Sequence, residues 1–108
     1  MHATLLRLRC APGQATEVAR LISAEYVPQF AEVEGVLSYT LVHSGQDEVA
    51  SIGVFTSQSG AMQASELAQS WVRERLADLG AAPVEAIDGE VLLNSAFPPS
   101  PSASTTRS

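Results

Sequence analysis

The sequence predicts an α+β fold in which two helices cover one face of a four-stranded antiparallel sheet. Three observations lead to this prediction. Two adjacent β-rich runs are joined by a polar linker, two longer stretches repeat apolar residues at a spacing of three or four, and an alternating stretch lies near each end of the region before residue 94. The chain has 108 residues, enough for one domain with a modest core.

The two β-rich runs form the centre of the predicted fold. Residues 36–43 and 49–56 are rich in Val, Ile, Leu, Tyr, Phe and Thr, which favour strands. The linker Ser44-Gly45-Gln46-Asp47-Glu48 has about five residues and contains glycine, as the longer hairpin loops do. We therefore expect an antiparallel hairpin, preceded by Gly35 in a left-handed conformation.

The two outer strands are predicted from alternation and from turn residues. Residues 3–10 alternate, and Ala11-Pro12-Gly13 ends this strand because proline has no backbone donor. One face of the strand carries Leu6, Leu8 and Cys10. Residues 83–93 form the last strand, in which Asp88 and Gly89 suggest a bulge or a close backbone approach.

Apolar stripes at helical spacing predict helices over residues 14–33 and 61–79. Pro28 removes one hydrogen bond inside the first helix and is expected to bend or break it one turn earlier. Ser57 or Ser59 is expected to cap the second helix. The order strand, helix, strand, strand, helix, strand is the ferredoxin-like βαββαβ arrangement.

The composition changes abruptly after the last strand. Residues 95–108 consist mainly of Ser, Pro and Thr with a single Phe97, and such a segment buries too little apolar surface to offset its chain entropy. We expect one ferredoxin-like domain over residues 1–94 and a disordered tail over residues 95–108.

Charge and cysteine content exclude several classes of function. The net charge is −6, lysine is absent, and the arginines form no cluster larger than two, so we expect neither nucleic acid nor membrane as a partner. Two distant histidines and one cysteine give no metal-ligand spacing, and no glycine-rich phosphate loop is present. With no signal peptide or long apolar run, the sequence predicts a cytoplasmic protein without a cofactor.

Both faces of the predicted sheet are apolar. On the second strand Leu37 and Leu41 occupy one face and Val36 and Val42 the other, if the strand is regular. One face meets the helices, and the same sheet of a second copy is the simplest cover for the other. The sequence thus predicts a homodimer.

Three short motifs carry a family resemblance: Ala11-Pro12-Gly13, Glu34-Gly35-Val36 and Gly89-Glu90-Val91. With the order of elements, they resemble the antibiotic-biosynthesis-monooxygenase-like family of dimeric α/β-barrel proteins over residues 4–93. The resemblance implies a homodimer with a shared barrel and a cleft between helices and sheet in each subunit. Members of the family include cofactor-free oxygenases of polyphenols or quinols and enzymes that degrade haem.

The sequence departs from the chemical pattern of those enzymes. They use an Asn on the first strand, a Trp just after the third strand and a His on the second helix, and the corresponding positions here lie near Leu6, Thr56 and Ser65. All three side chains are therefore absent. The departure weighs most against haem degradation, because no His is placed to ligate iron.

Two residues are candidates for catalysis. Tyr39 lies mid-strand, where its phenol could donate a proton or a hydrogen bond to a quinone oxygen. His43 lies at the end of the same strand and could act as a general base at the mouth of the cleft. The alternatives are a half-buried strand tyrosine and a surface histidine.

Five residues are candidates for ligand binding. Trp71 could form an aromatic wall, although core packing is the more usual role of an indole on the apolar side of a helix. Ser38, Thr40 and Ser51 could supply polar points in an apolar cavity. Arg7 could hold a carboxylate or enolate, or instead pair with an acidic residue, Glu85 or Glu90, of the last strand.

Three functions remain open on the sequence alone. The first is a cofactor-independent monooxygenase or oxidoreductase that acts on a small aromatic or quinol-like metabolite. The second is a module that binds a small apolar or aromatic molecule without turnover. The third is a structural dimer in which Phe30, Met62 and Trp71 fill the cleft.

Overall fold

The computed structural model describes residues 1–98, which form a four-stranded antiparallel sheet covered on one face by helices. The strand order across the sheet is β2-β3-β1-β4. The α+β, ferredoxin-like prediction is confirmed. The elements are β1 His2–Arg9, α1 Ala15–Leu21, a π-helical segment Ile22–Tyr26, α2 Val27–Phe30, β2 Val36–Gly45, β3 Glu48–Phe55, α3 Gln58–Arg75, a 3-10 turn Ala77–Leu79 and β4 Ala82–Glu90.

The first helix changes its winding ahead of Pro28 and does not break there. Proline cannot donate the hydrogen bond that would reach the carbonyl of Ala24, and the residues Ile22–Tyr26 form the π-helical segment. The predicted irregularity is confirmed, while the helical path continues through α2. Ile22 and Tyr26 both stay buried against the sheet.

The hairpin turn is tighter than the sequence predicts. Gly45 pairs with Glu48, which leaves only two residues, Gln46 and Asp47, at the turn. The backbone oxygen of Asp47 accepts a hydrogen bond from Cys10 N at 2.7 Å, and its side chain accepts one from Gly13 N at 3.1 Å. These bonds attach the turn to the end of β1. Because only two residues form the turn, the prediction of a five-residue loop is wrong.

The irregularity in β4 lies at the opposite end from the predicted one. Arg7 pairs with Glu85 but Leu8 pairs with Pro83, so the residue between them, Val84, is the extra one. Pro83 has no backbone donor, so the strand pairs through it with Leu8 without a hydrogen bond from its nitrogen. Gly89 pairs regularly in β4, and the prediction of a bulge there is wrong.

The core lies between the sheet and the helices. Phe55, Leu76 and Val18 are its largest fully buried side chains, and Leu8 and Cys10 lie on the buried face of β1 as predicted. Ser57 caps α3 by accepting a hydrogen bond from Gly60 N at 3.4 Å. Within residues 1–98 no helix is long and apolar enough to cross a bilayer.

The segment after β4 forms no helix or strand over residues 91–98. Its large apolar side chains are almost fully exposed, with fractions of 91% for Leu92, 84% for Leu93 and 82% for Phe97. The predicted tail begins inside this segment, and its remaining part, residues 99–108, lies outside the described residues.

Gly60 allows α3 to approach the chain before β2. A Cβ atom at Gly60 would lie 2.5 Å from the carbonyl oxygen of Glu34, which is backbone and cannot give way. We expect Gly60→Ala to lower the free energy of unfolding in urea by about 2 kcal/mol, although alanine is the better helix former. Gly89→Ala is the matched control, since a Cβ there meets nothing within 4 Å, and a change there as large as at Gly60 would contradict this account.

Candidate functional site

A cleft of about 330 Å³ lies between α3, the π-helical segment and the sheet. It continues into a much smaller space of about 20 Å³ beside Trp71. The larger volume falls within the range of small-molecule sites. Phe30, Met62 and Trp71 border these spaces and do not fill them, which weighs against the third alternative, a structural dimer with a filled cleft.

The strand register sets the floor of the cleft. Across the sheet, Tyr39 lies in one row with Gly53, Thr4 and Asp88, and these positions face the helices. Ser51 lies in the next row on the same face. Gly53 adds no side chain to the floor, and Phe30 fits closely above it, because a Cβ there would lie 3.0 Å from the Cζ atom of the Phe30 ring.

Four aromatic side chains form the inner wall. The ring of Tyr26 lies at the centre, with its centroid 5.4 Å from Trp71, 5.7 Å from Phe30 and 5.8 Å from Tyr39. Phe30 and Tyr39 are 4.7 Å apart. All of these pairs are tilted, a geometry that aromatic rings favour. The wall offers flat apolar surfaces against which a planar ligand can pack.

The two tyrosine hydroxyls are neutral donors at physiological pH. Burial raises the pKa of Tyr39, while the nearby Ser51 hydroxyl acts on that pKa in the opposite direction. Burial also raises the pKa of Tyr26, and the neighbouring Tyr39 adds to that effect. A neutral phenol can donate a hydrogen bond to a carbonyl or phenolate oxygen. The cleft therefore joins an aromatic wall to hydroxyl donors.

The structure brings together three of the residues predicted to form the site. Tyr39, Ser51 and Trp71 line the joined spaces, on β2, β3 and α3 respectively. The exposed fraction of Trp71 is 7%, so it serves both as core packing and as a wall. The two interpretations weighed for this indole from the sequence are thus compatible.

Three other predicted residues lie on the opposite face of the sheet. Ser38 and Thr40 flank Tyr39 on β2, and successive strand residues point to opposite faces, so neither lines the cleft as predicted. Arg7 lies on that face too, where its Nη2 is 3.4 Å from Glu85 Oε1 and its Nε is 3.8 Å from Glu48 Oε2. The ion-pair alternative holds for Arg7, with Glu85 as its partner on β4.

His43 lies apart from the cleft. It is exposed at the end of β2, and its Nε2 atom is 3.2 Å from the backbone oxygen of Gln46. It lines neither of the joined spaces. A role as general base for a molecule in this cleft is therefore not supported by its position.

Several cleft residues were missed from the sequence. Tyr26, Thr4 and Glu66 are not among the site residues that the sequence predicts, and Asp88 is considered there only for an irregularity of the last strand. Glu66 follows Met62 by one helical turn, a spacing that places both on one side of α3. Thr4 and Asp88 meet only through the register of β1 and β4, which the sequence does not reveal.

Other reactive groups are placed away from any chemistry. Burial is the main cause of the raised pKa of the Cys10 thiol, and Asp47 and Glu48 add to it, so this buried cysteine is a poor nucleophile. Within the described part of the chain, no cluster of three His, Cys, Asp or Glu side chains could hold a metal ion.

Solved structures share this fold. NE2512 from Nitrosomonas europaea, a protein of unknown function, has a TM-score of 0.73 and 18% identity, covering 91% of this chain and 95% of its own. A candidate antibiotic biosynthesis monooxygenase from Chloroflexus aurantiacus has a TM-score of 0.64 and 16% identity, covering 88% and 96%. SnoaB, a cofactor-independent oxygenase from Streptomyces nogalater, has a TM-score of 0.62 and 18% identity, covering 86% and 94%.

These comparisons show the fold. The chain has an antibiotic-biosynthesis-monooxygenase-like fold, and the resemblance inferred from the sequence is confirmed at that level. No protein-family profile matches the sequence, and no functionally curated protein matches it. The function of the cleft therefore has to be inferred from the residues that line it.

The chain contains two tyrosines, and both line the cleft, so their titration reports on it directly. Since both pKa values are raised, we expect no tyrosinate absorbance near pH 10, the ordinary value for this group, until the protein unfolds. The unfolded chain releases these protons first, so the free energy of unfolding should fall as the pH rises above about 10. Tyrosinate absorbance near pH 10, measured while the circular dichroism spectrum is still that of the folded protein, would contradict the burial of these hydroxyls.

Proposed function

We propose that this chain is a cofactor-independent oxygenase of a small aromatic, phenol- or quinol-like molecule. The observation that carries the proposal is the position of the Tyr39 hydroxyl, beside Ser51, in a cleft whose inner wall is aromatic. The shared fold with SnoaB supports oxygen chemistry without a cofactor. We also propose that the domain spans residues 1–94 and that the protein works in the cytoplasm, where a free buried cysteine is ordinary.

The chemistry requires no external reductant. A phenol with an open para position and one O₂ contain the atoms of one quinone and one water. The phenol loses its proton, the electron-rich ring gives an electron to O₂, a carbon–oxygen bond forms at the para carbon, and water leaves as the quinone forms. The protein must bind the ring, stabilise the phenolate and keep bulk water from the reacting carbon.

Each of these tasks has a candidate in the cleft. Tyr26 packs against the ring, while Tyr39 and Ser51 donate hydrogen bonds to the phenolate oxygen. Donors fixed in an apolar cleft stabilise a developing oxyanion more strongly than water does, because the local dielectric is low. The phenolic proton leaves through the open end of the cleft.

Binding without turnover is the second candidate function. It is favoured by the absence of the family's Asn, Trp and His at Leu6, Thr56 and Ser65, and by the position of His43 outside the cleft. Native mass spectrometry of protein purified from its host separates the two functions. A retained aromatic molecule whose mass is unchanged after aerobic incubation supports binding alone.

Oxygen uptake tests the catalytic proposal. With hydroquinone- and phenol-type substrates, we expect uptake by the wild type and a fall of about 100-fold or more in Tyr39→Phe, which keeps the ring and removes the donor. Thr40→Val, one residue away on the opposite face, is the matched control and should retain activity. His43→Ala should also retain it.

Two results would contradict this proposal. One is the absence of uptake across a broad panel of phenols and quinols. The other is full activity in Tyr39→Phe together with a loss in His43→Ala, since that pattern would place the chemistry outside the cleft.

A homodimer through the open face of the sheet completes the proposal. Ile87, Leu5 and Ile52 lie in one row on that face, and Ile87 and Val42 have exposed fractions of 54% and 46%. Arg7 lies among them, and within residues 1–98 its Nε is buried without a hydrogen-bond partner. A second sheet would cover the apolar row and could supply an acceptor for this guanidinium.

Sedimentation velocity tests the dimer. We expect Ile87→Asp to shift the protein from dimer to monomer, because a carboxylate there would be buried in the interface. Met62→Asp is the matched control, since Met62 is exposed to the same degree, 55%, but lies on the helical side. A wild-type monomer at micromolar concentration, or dissociation by both variants alike, would overturn the proposed interface.

A further inference from the structure

The cleft has an uneven distribution of charge. Its inner wall is apolar, while its open side carries two carboxylates, Glu66 on α3 and Asp88 on β4. No arginine lines the cleft or the small space beside it, and the chain contains no lysine. The charged groups at this rim are therefore all acidic.

Several arginines of the described chain pair with carboxylates that do not line the cleft. Arg7 lies on the opposite face of the sheet with Glu48 and Glu85. Arg75 binds Glu25 through two hydrogen bonds of 2.8 and 3.0 Å. None of these guanidinium groups neutralises the rim.

One imidazole approaches the rim. His2 Nε2 lies 3.9 Å from Asp88 Oδ2, which is too far for a hydrogen bond. No ion pair joins Glu66 to another residue within residues 1–98. The Glu66 carboxylate is therefore available to a ligand. The Asp88 carboxylate has the His2 ring near it, at 3.9 Å.

We propose that the cleft selects aromatic molecules that carry an ammonium group, such as phenols with an aminoalkyl chain. This inference rests on the proposed function and names the substrate class of the same site. The ring packs against Tyr26 and Tyr39, and the ammonium group lies toward Glu66 and Asp88. Aromatic faces and carboxylates both attract a cation, and a rim with two carboxylates and a single nearby imidazole repels a carboxylate or phosphate on the ligand.

The geometry of the floor suits such a two-ended ligand. Tyr39 and Asp88 stand at opposite ends of one row that crosses four strands, about 14 Å apart at the usual spacing of strands. Glu66 lies above this row on α3. A phenol held at the Tyr39 end therefore directs its side chain toward the carboxylates.

Three probes of matched size test the charge preference. Tyramine is cationic, 4-ethylphenol neutral and 4-hydroxyphenylacetate anionic, and all three carry the same phenol ring. By isothermal titration calorimetry at neutral pH and low salt, we expect tyramine to bind about tenfold more tightly than 4-ethylphenol. The anion should bind more weakly than both.

Two double variants separate the rim from the net charge. Glu66→Gln with Asp88→Asn should bring tyramine and 4-ethylphenol to equal affinity. Glu74→Gln with Asp78→Asn removes the same charge from exposed positions outside the cleft and should leave the tenfold preference intact. Retention of the preference in the first variant, or its equal loss in the second, would overturn the proposal.

Binding measurements on the wild type alone can also contradict the proposed charge preference. Equal binding of the three probes, or no binding of tyramine at millimolar concentration, would contradict a cation-selective cleft. Oxygen uptake with neutral phenols would then leave the proposed function standing. Conversely, a tyramine preference without oxygen uptake on any phenol that has an open para position would support the selectivity and remove the catalysis.

Discussion

The register of the four strands determines the floor of the candidate site. Side chains alternate between the two faces of a strand, so one register places Leu6, Ser51 and Tyr39 under the helices and, at the same time, Leu5 and Ile52 on the open face. A slip by one residue would exchange these sets. The cleft and the surface proposed for dimerisation are thus two consequences of one ladder of hydrogen bonds, and the bonds from Cys10 and Gly13 to Asp47 help to hold it in place.

Much of the fold could be predicted from the sequence, because its strongest signals are local. Ser57 as a cap and Gly35 and Gly80 in left-handed conformations all lie where turn chemistry puts them. The error over Ser38 and Thr40 has a different origin. Their hydroxyls were grouped with Tyr39 because they are close to it in sequence. Successive side chains of a strand point to opposite faces of the sheet, so immediate neighbours cannot share a cleft on one face.

The burial of Tyr26 follows from the apolar stripe at helical spacing, and the structure keeps Ile22, Tyr26 and Phe30 buried. Its place at the centre of the aromatic wall could not be predicted, because the rings around it come from β2, α2 and α3, which meet only in the fold. Pro28 marks where the helix becomes irregular, but it does not reveal that the irregular part is a π-helical segment.

The open side of the cleft follows from the order of the strands. β4 lies at the edge of the sheet, next to β1, and its residues are exposed almost throughout, whereas β3 lies inside and is largely covered. The helices therefore seal the cleft above β3 and leave it accessible above β4, where Asp88 lies. Carboxylates are stable at such an edge because water solvates them, and a ligand entering from this side meets them before it reaches the aromatic wall. The topology thus places carboxylates at the edge of the cleft and apolar side chains in its interior, and the proposed charge preference rests on this distribution.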